Sequence, residues 1–197
     1  VCSRMAQATA HIVVSVEYRL APEHKFPIPL EDCYAAAKAL YTNQLILHTD
    51  PKKITIIGDS AGGNLTAAVC LMARDRGEFT PRRQILIYPA VESPYRSVHE
   101  NGSDYLLTAV KMEDYLNLYQ RTEEDRKNPY FSPLQEKDLK DLPETLILTA
   151  EYDPLRDEGE VYGRKLEAAG NRVEVHRIRG AFHGFFALGI KFLHVQE

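Results

Sequence analysis

The chain has 197 residues, enough for one domain with a real core. Hydrophobic residues make up 44% and charged residues 26%, the balance of an ordinary soluble globular protein. A net charge of −4 without any Lys/Arg-rich run argues against nucleic acid or an anionic membrane surface as partner, and no apolar run reaches the length of a membrane span.

Val1–Ala8 reads as the tail of a helix, with Val1, Met5 and Ala8 on one face. His11–Tyr18 contains Ile12-Val13-Val14-Ser15-Val16, a run suited to a strand buried on both faces. Pro22, Pro27 and Pro29 hold off regular structure until about Leu30, where Leu30, Cys33, Tyr34, Ala37, Leu40 and Tyr41 take up helical spacing. Lys53–Gly58 is a second buried strand, and Gly63–Arg74 a helix with Leu65, Ala68, Val69 and Met72 on one face. Arg83–Val91 and Glu144–Glu151 are the third and fourth strands. Asp157–Ala169 is a helix with Asp157 as N-cap and Gly170 just past its end. Arg172–Ile178 is the fifth strand, and a last helix starts near Gly184.

This alternation predicts a mostly parallel sheet with helices on both faces, in a single domain over residues 1–197. About fifty residues separate the third and fourth strands, far more than the usual connection of roughly 2–6. Thr108 can cap a helix there whose face carries Met112, Tyr115, Leu116 and Tyr119. The segment 94–142 is therefore expected to form a lid over the site, against the plainer reading of a surface insertion.

The sharpest local motif is Gly58-Asp59-Ser60-Ala61-Gly62-Gly63, set between a buried strand and an apolar-periodic helix. A serine raised on so tight a strand-to-helix turn sits in strained backbone. Glycines two before and two after it relieve the clash. The helix N-terminus then aims free N–H groups at the reacting oxygen, with the Ala61 N–H as oxyanion donor and Gly62 beside it. A phosphate-binding turn is the rival reading, but neither its lysine nor the Gly-x-Gly-x-x-Gly spacing is present.

A serine nucleophile needs a base and an acid that orients it, in the chain order Ser, acid, His. Asp153, fixed by Pro154 just past the fourth strand, fills the acid position ahead of Glu151, Asp157 and Glu158. His183, after the fifth strand and beside Gly184, fills the base position. His11, His24, His48, His99, His176 and His194 fit neither the order nor the place. Three widely spaced cysteines, Cys2, Cys33 and Cys70, read as small buried hydrophobes rather than disulfides or metal ligands. No metal or organic cofactor is expected.

Several segments resemble the hormone-sensitive lipase family of esterases, which have the α/β-hydrolase fold. They are Tyr18-Arg19-Leu20-Ala21-Pro22-Glu23, the Gly58–Gly63 motif, Asp153-Pro154-Leu155-Arg156-Asp157-Glu158 and Phe182-His183-Gly184-Phe185, in family order over nearly the whole chain. The resemblance implies a carboxylesterase for short- to medium-chain esters, with a lid shaping its pocket and a small-molecule ester as partner. In the first of these segments, Arg19 and Glu23 are expected to pair and fix the loop. The family's His-Gly-Gly-Gly segment, which completes the oxyanion hole, is absent from these residues. The expectation is that the natural protein extends before Val1 and supplies it. A cytoplasmic location is expected, and a homodimer is left open. Competing readings are a non-catalytic ligand-binding protein on the same fold and a related lipase, deacetylase or amidase.

Overall fold

Parallel pairing organises the chain from Thr55 onward. The computed structural model describes residues 1–42, 49–92, 98–103 and 105–188. Among these, four strands, β1 (Thr55–Asp59), β2 (Arg83–Ile87), β3 (Glu144–Tyr152) and β4 (Val173–Phe182), form one parallel sheet in sequence order. Gly58 lies opposite Leu86, and Leu86 opposite Ile147; β1 and β2 end level at Asp59 and Ile87, while β3 and β4 run on to Tyr152 and Phe182. Six α-helices accompany them among the described residues: α1 (Cys2–Thr9), α2 (Ile28–Thr42), α3 (Ala61–Arg76), α4 (Val98–Asn101), α5 (Ala109–Tyr119) and α6 (Arg156–Ala168).

The β1–β2 and β3–β4 crossovers are α3 and α6, which share one core with the sheet. Ala67, Cys70 and Leu71 of α3 meet Leu86, Ile147 and the Tyr162 and Leu166 side chains of α6. Every residue of α3 from Gly63 to Ala73 is buried, so the helix is covered all round rather than along the one face expected. Its other side packs on α2 through Leu30, Tyr34, Val69 and Met72. Helix α2 starts two residues before Leu30, because a proline in the first turn lacks only an N–H that would have no helical partner. The opposite sheet face, with Ile57, Ile85 and Leu148, is half-buried and gathers around Ile87, Tyr88 and Phe185.

Three local expectations change. His11–Tyr18 joins no ladder, because no partner strand runs beside it among the described residues, and Ile12 and Val14 stand 64% and 48% exposed. The sheet described is thus four-stranded. Asp157 is not the cap of α6: Leu155 occupies that position, and Asp157 bonds Arg156 from within the first turn. Arg19 pairs not with Glu23 but with Asp32 on α2, its Nε and Nη2 donating to the two carboxylate oxygens at 2.8 and 2.6 Å. The cysteines also differ from one another: Cys70 is buried, Cys33 half-buried and Cys2 exposed. Residues 183–188 form turns, and the remainder of the expected last helix lies outside the described residues, as do His48 and His194.

Candidate active site

Three loops at the C-terminal ends of the strands bring Ser60, Asp153 and His183 together. Ser60 stands between the last residue of β1 and the first of α3, with φ 55° and ψ −116°, a left-handed backbone that side-chain-bearing residues seldom adopt. Backbone bonds hold it there. The Ser60 N–H donates to the Ile87 carbonyl at 2.9 Å, while the Ser60 carbonyl accepts from the Asn64 N–H at 3.1 Å. The side-chain amide of Asn64 donates to the Ala90 and Phe131 carbonyls, fastening α3 to the loop after β2.

The glycines around the serine divide differently from the expectation. A Cβ on Gly58 would lie 2.1 Å from the Gly62 carbonyl oxygen, and one on Gly63 would lie 2.8 Å from Pro89 Cβ. One on Gly62 would meet nothing within 4 Å. The crowding that excludes side chains falls at Gly58 and Gly63, and Gly62 contributes its carbonyl to it.

Asp153 follows β3 and is wholly buried. Its Oδ1 accepts from the Leu155 N–H at 2.9 Å, and its Oδ2 lies 2.8 Å from His183 Nδ1. The Asp153 backbone carbonyl accepts from the Arg156 N–H at 3.1 Å. His183 follows β4, and its Nε2 lies 2.9 Å from Ser60 Oγ. A carboxylate only accepts, so Nδ1–H donates to Asp153 and the Nε2 lone pair is left to accept the Ser60 hydroxyl. The rival acid, Glu151, points elsewhere, accepting from the Gly180 N–H at 2.7 Å.

A cavity of about 530 Å³ opens above Ser60, Ala61 and His183. Its walls are mainly apolar and come from Tyr18, Leu20, Phe131 and the 106–119 stretch with Leu107, Met112 and Leu116. Helix α5 forms as read from the sequence, with Thr108 Oγ1 accepting the Lys111 N–H. Gly62 is not among the cavity-lining residues. Among the described residues, no group of three or more His, Cys, Asp or Glu side chains converges as a metal-ligand set. No helix there is long and apolar enough to cross a membrane.

Sequence reasoning passed over Tyr88, which is buried against His183 with ring centroids 4.7 Å apart. Its position in a Tyr-Pro pair just past a strand was the available signal.

Residues 1–187 match the family model described as alpha/beta hydrolase fold, and the chain belongs to that family. Its type is that of the hormone-sensitive lipase esterases, as the motifs implied. The chain is 41% identical over 175 residues to an arylesterase of Saccharolobus solfataricus, and 37% identical over 191 residues to an ethyl acetate hydrolase of Pseudomonas putida. The alignments cover 88% and 95% of this chain but 57% and 60% of those proteins, so the chain spans less than two thirds of their length. In structure it is similar to a hyperthermophilic esterase from the archaeon Pyrobaculum calidifontis, with a TM-score of 0.90 and 47% identity over 93% of this chain and 62% of that one.

Proposed function

We propose that this chain carries the catalytic triad of a serine carboxylesterase, with Ser60 as nucleophile, His183 as general base and Asp153 as orienting acid. One observation carries the reading: the imidazole of His183 bridges the Asp153 carboxylate and the Ser60 hydroxyl at 2.8 and 2.9 Å. Ser60 Oγ attacks the ester carbonyl carbon while Nε2 takes its proton. Asp153 holds the imidazole in the tautomer that can accept and stabilises the imidazolium formed. The N–H of Ala61, at the free end of α3, faces the carbonyl oxygen as it becomes an oxyanion. The tetrahedral intermediate collapses, His183 gives its proton to the departing alkoxide, and an acyl-Ser60 ester remains. Water then repeats the sequence and releases the acid.

Within the 94–142 segment read as a lid, α5 lays an apolar wall over the cavity. The apolar lining fits a short- to medium-chain acyl or aryl ester, and the esterase names of the relatives support the same reaction class. The test is a series of nitrophenyl esters from acetyl to palmitoyl, given to the whole protein beside a matched anilide and a triglyceride. Fastest turnover on the shorter esters is expected. Faster cleavage of the anilide or triglyceride would reassign the enzyme as an amidase or lipase. Binding of every ester without turnover would favour the ligand-binding protein.

A further inference from the structure

Tyr88 follows β2 directly, with its backbone N–H donating to the Leu148 carbonyl of β3 at 2.6 Å. Its φ is +35°, so a bulky residue is held in backbone it would ordinarily avoid. Such strain persists only where the surroundings over-determine it. Here the consequence is a ring directed under the histidine turn. The ring is tilted 56° to the His183 imidazole at 4.7 Å, and meets Phe185 edge-on at 5.1 Å. Its hydroxyl donates to Asp59 Oδ2 at 3.3 Å, on the residue before Ser60. Burial above all, with Asp59 nearby, pushes the phenol above its ordinary range, which keeps it a neutral O–H donor. One side chain thus touches the serine elbow, the imidazole and the turn that carries the imidazole.

We propose that Tyr88 is a positioning residue that locks the His183 ring toward Ser60 by joining the Asp59 end of the elbow to the 183–187 turn. The proposal rests on the triad reading. Asp153 holds His183 at Nδ1 and Ser60 meets it at Nε2, and bonds at the two ring nitrogens leave rotation about the line joining them to be set by packing. The Tyr88 ring walls off one side and meets Phe185 of the turn, while its hydroxyl ties that ring to Asp59 beside Ser60.

The test uses Tyr88→Phe and Tyr88→Leu in the whole protein, each made with and without His183→Ala. Tyr88→Phe keeps the packing and loses the tie, so kcat should fall about 3- to 10-fold, the worth of one hydrogen bond, with KM within about twofold. Tyr88→Leu should cost more in kcat. In the His183→Ala background neither change should slow reaction with a fluorophosphonate further, since no imidazole remains to be positioned. The downfield proton signal of His183 Nδ1–H should broaden in both single variants. Tyr88→Phe with unchanged kcat and an unchanged proton signal would overturn the proposal. An equal loss in both backgrounds would also overturn it, reducing Tyr88 to a core residue. If His183→Ala alone kept wild-type activity, the triad reading would fail instead, which separates the two. Should Tyr88→Leu not fold, the near-isosteric Phe variant decides alone.

Discussion

Substituting Gly58 by alanine tests the elbow where its geometry is tightest. The new Cβ would lie 2.1 Å from the Gly62 carbonyl oxygen, 2.3 Å from its carbon and 2.7 Å from Thr66 Oγ1. An ordinary van der Waals contact starts at 3.4 Å, so the first turn of α3 must retreat by about 1.3 Å. Overpacking on this scale costs about 1–3 kcal/mol. At roughly 2–4 °C per kcal/mol for a domain of this size, a 2 kcal/mol loss lowers Tm by about 4–8 °C. The retreating turn carries the Ala61 and Gly62 N–H groups. A displacement of about 1 Å at a reacting centre costs on the order of 10²-fold in rate. Gly62→Ala is the matched control: its Cβ meets nothing, and alanine in place of glycine within a helix gains up to about 1 kcal/mol. Thermal unfolding and ester turnover on the pair decide the matter. Gly58→Ala as stable and active as wild type, or Gly62→Ala the less stable of the two, would refute the reasoning.

Asp153→Asn should leave the fold in place and lower kcat on the order of 10⁴-fold, because the amide favours the wrong imidazole tautomer. If Glu151→Gln produced that loss, the acid would be misassigned. Activity should decline as the medium is acidified, since a protonated imidazole has no lone pair for the Ser60 proton; kcat/KM that is flat down to acidic pH would contradict His183 as base. At Asp32, hydrogen bonds from Arg19 hold the carboxyl down to about 2. A lowered folded value contributes stability above the unfolded value, near 3.9, that is lost as pH falls toward 2. Asp32→Asn should therefore flatten the acid unfolding curve in that window, and an unaltered curve would show that the pair holds nothing.

The meeting of Ser60, Asp153 and His183 was legible because each follows its own strand. A run such as Thr55-Ile56-Ile57 or Leu146-Ile147-Leu148 announces a buried strand, and the residue just beyond its end inherits a position that needs no knowledge of the neighbours. What failed depends on neighbours. Ile12 to Val16 has the composition of a strand, but a strand exists only through a partner's backbone. Arg19 reached past Glu23 to Asp32 because α2 folds back beside the loop, thirteen residues on. Asp157 had the chemistry of a cap, but Leu155 took the capping position, where Asp153 accepts its N–H. Gly62 was assigned a steric need that lies at Gly58 and Gly63, since the crowding arises between chain segments. Tyr88 left no periodic trace: its left-handed backbone and its contact with His183 are both products of tertiary packing.

The most direct measurement on the central claim is reaction of the whole protein with a fluorophosphonate, followed by mass spectrometry of the adduct-bearing peptide. One phosphonyl group is expected, attached to Ser60, formed with loss of ester turnover and absent from Ser60→Ala. An adduct on another residue, or rapid ester hydrolysis by Ser60→Ala, would contradict it.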